Sequence, residues 1–286
     1  MRRKSWKNIV RNVLCTPRPM CYNRPEVIFM TLDRPHARQA FAEYTSHYNA
    51  ADPKVKLKID HTYRVAALCE RIANSLSLSP QDVDLAWLCG LLHDVGRFEQ
   101  LRRYGTFIDA KSIDHALMSV TVLFEEGRLR DYIAGTDEDA LLRTAIRLHN
   151  AYRLPEEMDD RTRMFCQILR DADKIDILRV NVETPMEQIY NVSTEALRQS
   201  PVSPAVLDAF YEHHCVLRTL NHYPADNAVG HASFVFELCY PESLRAVAEQ
   251  GWLWKLLDFK TENPDTTKAF AGMKAEMQRW LEEHAK

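Results

Sequence analysis

The sequence has few of the features that mark β-rich, secreted or membrane-spanning proteins. It contains only 8 glycines in 286 residues. Its abundance of Ala, Leu, Glu and Arg favours helices over a turn-rich β architecture. No apolar stretch reaches the roughly 18 residues of a transmembrane helix. The basic N-terminal segment lacks the apolar region of a signal peptide, so we expect no secretion signal.

Cysteine pairs and a net basic charge are also missing. The 7 cysteines include no Cys-x-x-Cys pair, and several lie within apolar helical patterns, which indicates reduced thiols in a cytoplasmic protein. The formal net charge is -3, so no overall basic field attracts nucleic acid. The N-terminal segment has too few apolar residues for a membrane-surface helix. A local cationic pocket would still suffice for a small phosphorylated ligand.

Apolar residues recur at helical spacing along most of the chain. Val65, Leu68, Cys69, Ile72 and Leu76, for example, follow the i, i+3, i+4, i+7 and i+11 positions of one helix face. No region alternates with a period of two for long enough to indicate a core strand. The sequence therefore predicts an all-α fold, a compact bundle of many helices.

The chain shows no internal repeat, low-complexity tract or linker, so we predict one helical domain over residues 30–286. Residues 1–29 carry three prolines and no sustained period, and we expect an irregular, dispensable N-terminal extension there. Helical patterns from about residue 205 to residue 286 predict a helical appendix packed on the rest.

A His-Asp pair, His93-Asp94, lies where a strongly apolar helix is predicted to end. That helix begins at Ser79-Pro80, a typical cap and first position, and is apolar nearly all round, which predicts burial. Neighbouring helical residues point about 100° apart, so we expect Gly96 to turn the backbone sharply and let both side chains converge on one ion. The charged and aromatic residues 97–111 predict a connecting loop.

Five predicted helices each bring a metal-type ligand to an apolar face or tip. These residues are His61, His93 with Asp94, His115, His149 and Asp173. A single inward histidine is more often a hydrogen-bonded core residue than a ligand, and a lone aspartate is usually a cap or ion-pair partner. Together, however, they would leave many unsatisfied polar groups in the core unless something binds them all. Imidazole and carboxylate suit zinc, iron, manganese and similar divalent ions.

This set resembles the HD superfamily of metal-dependent phosphohydrolases over roughly residues 55–180. The superfamily's pattern of a histidine, a His-Asp pair and a distal aspartate is matched by His61, His93-Asp94 and Asp173. The local sequences Leu-Leu-His-Asp-Val-Gly-Arg and Arg-Asp-Ala-Asp-Lys-Ile-Asp match as well. His115 and His149 are similar to the two additional histidines of the dinuclear branch.

The resemblance implies an HD-domain bundle that binds two divalent ions, drawn from Mn, Fe, Zn, Ni, Co or Mg. The first ion would be bound by His61, His93, Asp94 and Asp173. The second would be bound by His115 and His149, with Asp94 bridging both ions. Such a pair of cations acidifies a bridging water to hydroxide and orients a phosphoryl group for in-line attack.

Three residues are predicted to act in catalysis: Asp94, Arg97 and Lys174. Arg97, where related proteins often carry Lys, is expected to contact phosphate; the alternative is an ion pair with Glu99 or a nearby acid. Lys174 either contacts phosphate or neutralises the neighbouring acids. Asn150 either positions a substrate oxygen or caps its helix.

The resemblance thus implies a hydrolase that cleaves a phosphomonoester or phosphodiester, with nucleotides among the candidate substrates. The Gly-Tyr-Pro signature of cyclic-di-GMP phosphodiesterases is absent after His149, and Arg97-Phe98 replaces the Glu-Asp pair of alarmone hydrolases. Neither of those substrates is therefore indicated. Two alternatives stay open, a di-iron oxygenase of the same fold and a non-catalytic metal-binding or ligand-sensing domain. The sequence leaves the oligomeric state open.

Overall fold

The computed structural model describes residues 32–284, and this part of the chain forms helices and turns without a β-strand. The all-α prediction is confirmed. The α-helices are α1 (Arg34–Ser46), α2 (Pro53–Ser75), α3 (Pro80–Leu92), α4 (Val95–Tyr104), α5 (His115–Val120), α6 (Asp139–Leu148), α7 (Asp160–Glu183), α8 (Met186–Tyr190), α9 (Thr194–Arg198), α10 (Pro204–Tyr211), α11 (Pro224–Ala232), α12 (Pro241–Gln250), α13 (Trp252–Leu257) and α14 (Pro264–His284). Short 3-10 or π turns lie at Asp109–Lys111, Thr121–Glu125, Arg128–Asp131, Arg218–Leu220 and Ser233–Glu237.

The predicted N-terminal extension, residues 1–29, lies outside the described residues. None of the helices between residues 32 and 284 combines the length and apolarity needed to cross a membrane. From Phe41 in α1 to Leu281 in α14, the buried apolar side chains form one continuous core. The division into one domain with an appendix stays a prediction.

Helices α2 and α3 share the most extensive helix–helix contact in the described part of the chain. The Ser79 hydroxyl accepts a hydrogen bond from the Asp82 amide at 3.1 Å, and Pro80 occupies the first turn, as the sequence predicts. Residues 85–92 of α3 are all buried, and each fully buried Leu-sized side chain contributes about 1.5–3 kcal/mol. At Gly90 a Cβ would lie 2.6 Å from the Ala66 Cα, so glycine is required for this close contact.

Helix α7 runs between the N-terminal helices and the C-terminal part of the chain. It contacts α2, α3 and α6 on one side and α11, α12 and α13 on the other. Asp159 caps its first turn by accepting a hydrogen bond from the Thr162 amide at 2.9 Å. A residue in the middle of α7, such as Asp173, is therefore held by both halves of the fold.

The prediction of a loop over residues 97–111 is wrong for residues 97–104, which belong to α4. The charged residues there stabilise the helix, because the Glu99 carboxylate accepts hydrogen bonds from Arg102 and Arg103 at i+3 and i+4. The Phe98 side chain of the same helix is buried in the core. The helix ends at Gly105, whose φ of 67° is left-handed.

Gly96 does not turn the backbone, contrary to expectation. It lies in the first turn of α4 and has no positive φ. The break between α3 and α4 falls instead at Asp94, with φ -111° and ψ 14°. A Cβ at Gly96 would lie 2.3 Å from the Ser119 amide nitrogen and 2.6 Å from the Met118 carbonyl carbon. The glycine therefore allows the backbones of α4 and α5 to touch.

Candidate metal centre

Four histidines from separate parts of the chain meet around Asp94. His61 lies within α2, His93 directly follows α3, His115 begins α5, and His149 directly follows α6. All four side chains are buried. The packing of these helices, each with an apolar face in the core, thus brings four imidazoles to one place.

The two carboxylate oxygens of Asp94 face different pairs of histidines. Its Oδ2 lies 3.5 Å from the His93 Nε2 and 3.7 Å from the His61 Nε2. Its Oδ1 lies 3.7 Å from the His115 Nε2 and 3.8 Å from the His149 Nε2. A single carboxylate is therefore positioned between two potential metal sites.

Asp173 lies close to the first pair of histidines, and its candidate ligand atom also groups with those of His93 and His149. Its Oδ1 lies 3.1 Å from the His61 Nε2 and 3.8 Å from the His93 Nε2. The ligand atoms of His61, His93 and Asp94 all lie within 4.8 Å of one another, as do those of Asp94, His115 and His149. The six residues that the sequence predicts as metal ligands are thus brought together by the fold.

Two of the imidazoles are oriented by backbone carbonyl groups. The His93 Nδ1 lies 2.8 Å from the Gly90 carbonyl oxygen, and the His149 Nδ1 lies 2.7 Å from the Ile146 carbonyl oxygen. A carbonyl oxygen only accepts hydrogen bonds, so each Nδ1 carries the proton and donates it. The Nε2 of each ring is then free to act as a ligand atom.

The other two imidazoles are oriented by carboxylates. The His61 Nδ1 donates to the Asp176 Oδ2 at 2.7 Å, and the His115 Nδ1 donates to the Asp109 Oδ2 at 2.6 Å. An outer carboxylate of this kind fixes the tautomer of a metal-binding histidine and makes its Nε2 more basic. Neither carboxylate was assigned a role from the sequence. Asp176 follows Asp173 by three residues on α7, whereas the loop position of Asp109 gives no periodic signal.

The protonation pattern leaves lone pairs that need a cation. The Nε2 atoms of His61 and His93 lie 3.3 Å apart, and those of His115 and His149 lie 3.0 Å apart. With the proton on Nδ1, both Nε2 atoms of a pair are acceptors, so they cannot hydrogen-bond to each other. The buried Asp94 Oδ1 has no hydrogen-bond partner among the residues described. Two pairs of imidazole nitrogens around one carboxylate fit divalent metal ions.

Burial keeps the second pair of histidines neutral, the form that binds a metal. It lowers the pKa of His115 to about 4, with a further contribution from the Arg97 cation. It also lowers the pKa of His149 to about 4, where the neighbouring His93 adds to the effect. Burial by itself would raise the pKa of Asp94, but the Lys58 cation and other nearby positive groups hold it well below its usual value.

Lys58 is a cation at the site that sequence reasoning missed. Its Nζ lies 2.7 Å from the Asp94 Oδ2. It precedes His61 by three residues on α2, so the helical period places both on the same face. That spacing was the available signal in the sequence.

Arg97 lies beside Asp94 but binds a different acid. Its Nη1 donates to the Asp109 Oδ1 at 2.9 Å, and its buried Nε is 3.7 Å from the Asp94 Oδ1 without a hydrogen-bond partner among the described residues. Glu99 is bonded instead to Tyr48 and the arginines of α4. The phosphate-binding role of Arg97 stays a prediction.

Lys174 and Asn150 each have a partner in the structure. The Lys174 Nζ forms an ion pair with the Glu237 Oε2 at 3.0 Å. The Asn150 Nδ2 donates to the Asp114 Oδ1 at 3.0 Å. Their roles in binding substrate stay predictions.

A cavity of about 330 Å³ opens onto His115, His149 and Asp94. Asp94, His115, His149 and Asp173 form its floor. Its walls include the cationic side chains of Lys58, Arg97, Arg170, Lys174 and Arg218. The carboxylates of Asp94, Asp109, Asp173 and Glu237 line it as well, so the cationic side chains exceed the acidic ones by one. A small excess of positive charge favours an anionic ligand over a neutral one.

A family model described as the HD domain matches residues 59–178. This range contains the four histidines and both aspartates of the candidate centre. No curated protein and no solved structure matches the chain.

Proposed function

We propose that this protein hydrolyses a phosphoric ester, because residues 59–178 match the family model of the HD domain, the domain of a superfamily of metal-dependent hydrolases. The substrate is a small phosphomonoester or phosphodiester, with nucleotides among the candidates. One observation carries the proposal: Asp94 lies between two histidine pairs at the floor of a cationic cavity.

The residues present fit two divalent ions. His61, His93, Asp94 and Asp173 would hold one ion, and His115, His149 and Asp94 the other. When bound, such ions supply the Lewis acidity that polarises a phosphoryl group and activates water.

The chain's own contribution is to orient the imidazoles and to bind the phosphate. Asp109 and Asp176 accept the Nδ1–H hydrogen bonds of His115 and His61, so that the Nε2 of each ring is directed toward Asp94. The Arg97 guanidinium lines the cavity next to Asp94 and supplies a cation for a phosphate oxygen bound there. Lys58 contributes a second cation on the other side of the Asp94 carboxylate.

We also propose a reducing, cytoplasmic environment. The cysteines in the described part of the chain, namely Cys69, Cys89, Cys166, Cys215 and Cys239, are all unpaired. Cys69 and Cys89 are buried in the core, where burial raises the thiol pKa well above its usual value and disfavours oxidation.

The decisive experiment is elemental analysis of freshly purified protein, followed by assay of phosphomonoesters, phosphodiesters and nucleotides with each candidate metal. We expect metal-dependent release of phosphate or of a phosphomonoester, without oxygen consumption. A mixed-valence iron signal with oxygen-dependent turnover would indicate a di-iron oxygenase instead. Full metal occupancy without turnover of any ester would indicate a binding or sensing domain.

A further inference from the structure

One wall of the cavity lies outside the HD domain. Residues 215–219, together with Phe234 and Glu237, line the cavity along with His115 and His149, although the matched family model ends at residue 178. The C-terminal part of the chain therefore shapes the space that a substrate occupies.

This wall is fixed to the metal centre by direct contacts. The Tyr152 hydroxyl, three residues after His149, donates to the Cys215 carbonyl at 3.1 Å. Lys174, next to Asp173, forms an ion pair with Glu237 at 3.0 Å. Within the wall, the Val216 amide donates to the Ser233 hydroxyl at 3.0 Å. The wall thus holds a defined position relative to the predicted metal ligands.

Most cations that line the cavity are already neutralised or hydrogen-bonded. Lys58 is paired with Asp94, and Arg97 with Asp109. Arg170 donates to four backbone carbonyls between residues 148 and 152.

Arg218 is different from these cations. Its guanidinium is exposed and makes no hydrogen bond or ion pair with residues 32–284, so it can bind an anion without giving up an existing partner. Two large side chains with apolar surface line the same cavity and are exposed: Leu217, the preceding residue, is 41% exposed, and Tyr152, whose hydroxyl contacts Cys215, is 37% exposed. An apolar surface next to an unpaired cation fits a carbon skeleton that ends in an anionic group.

We propose that residues 215–237 form the specificity wall of the site and that Arg218 binds a second anionic group of the substrate. This inference rests on the proposed phosphoesterase function: one phosphate lies at the cavity floor, and a second phosphate or a carboxylate reaches Arg218. The intervening carbon skeleton packs on Leu217 and Tyr152. The preferred substrate is therefore a phosphate ester with two separated anionic groups.

The test compares Arg218→Gln with the wild type, using the full-length, metal-loaded protein. Two substrate series differ only in the second group: phenyl phosphate against its 3- and 4-carboxy derivatives, and a nucleoside 5′-monophosphate against the 3′,5′-bisphosphate. We expect the wild type to prefer the doubly anionic members through a lower KM. Arg218→Gln should raise their KM roughly 10-fold or more, a clearly larger loss than for the singly anionic substrates. The two series distinguish a carboxylate from a second phosphate.

Lys268→Gln is the matched control, because Lys268 is an exposed cation on α14 outside the cavity. It should leave every KM unchanged. A wild type without preference in either series, or a preference that survives in Arg218→Gln, would overturn the inference. So would an equal loss for singly and doubly anionic substrates. If the wild type hydrolyses none of these compounds, calorimetric titration measures its binding preference for the doubly anionic members directly. A wrong assignment of the reaction is therefore distinguishable from a wrong assignment of Arg218.

Discussion

The carboxylates of Asp109 and Asp176 allow the two halves of the candidate centre to be tested separately. Asp109 accepts from His115 on one side of Asp94, and Asp176 accepts from His61 on the other, at 2.6 and 2.7 Å. We predict that Asp109→Asn weakens one bound ion and that Asp176→Asn weakens the other.

The expected magnitude follows from the kind of hydrogen bond removed. A bond to an ionised acceptor is roughly twice as strong as one to a neutral acceptor. Loss of the outer partner of a metal-binding histidine costs about 10–100-fold in metal affinity, equivalent to roughly 1.4–2.7 kcal/mol. Asparagine keeps an acceptor oxygen of similar size, so we expect losses nearer 10-fold. The two variants are well matched, since Asp109 also binds Arg97 and Asp176 also binds Arg64.

The assay is a calorimetric titration of metal-free protein with Mn²⁺ or Zn²⁺. The wild type should bind two equivalents, and each variant should lose affinity for one equivalent while keeping the other. Asp84→Asn is the control, because it removes the carboxylate partner of Arg34 at a distance from the centre, and it should change neither affinity.

Two results would refute the reasoning. The first is a single equivalent in the wild type, which would remove the second site. The second is a loss of the same equivalent in both Asp109→Asn and Asp176→Asn, because the two histidine pairs would then serve one ion.

The remaining predictions concern single substitutions. Asp94→Ala should abolish hydrolysis and release metal, measured by turnover and elemental analysis, because both histidine pairs share this carboxylate; unchanged turnover would contradict it. Arg97→Ala should raise the KM for a phosphoester more than it lowers metal content, and a metal loss equal to that of Asp94→Ala would show a structural role instead. Gly96→Ala should lower the free energy of unfolding by about 1–3 kcal/mol in denaturant titrations, because the new Cβ would lie 2.3 Å from the Ser119 amide nitrogen. Burial and the Arg218 cation lower the pKa of His231 to about 3, so the folded state disfavours its protonation and stability falls as the pH drops below about 6.5. His231→Gln should reduce the stability lost between pH 7 and pH 5 by at most roughly 2 kcal/mol, and an unchanged loss would contradict the assignment.

The all-α fold and the inward position of the ligand residues were predictable from helical periodicity, whereas their grouping around two ions was implied only by the resemblance to the HD superfamily. His61 precedes Val65 by one turn and Asp173 follows Leu169 by one turn, so each polar residue shares a face with the core. A helix must bury its apolar face, and a polar residue on that face is carried inward with it. The inward position of these two side chains therefore follows from the period of each helix, without information on how the helices pack against each other.

The supporting contacts were not predictable, since they depend on packing between elements. The small size of Gly96 matters only because α5 touches α4 there, and nothing in the sequence of α4 records that contact. Asp109 lies in a short turn without a period, and its role follows only from the position of His115. Helix α4 was not predicted because its exposed faces are charged and only a few residues form its buried face.

The ion pair between Lys174 and Glu237 connects the metal centre to the C-terminal part of the chain. It joins a residue beside the predicted ligand Asp173 to a wall that the HD family model does not include. The Glu237 carboxylate competes with any phosphate for the Lys174 ammonium, whereas Arg218 on the same wall is free of such competition within residues 32–284. The charge pattern of this wall therefore directs the second anionic group of a substrate toward Arg218 and away from Lys174. We therefore propose that chemistry and substrate choice belong to different parts of the chain, the first to the helices within residues 59–178 and the second to residues 215–237.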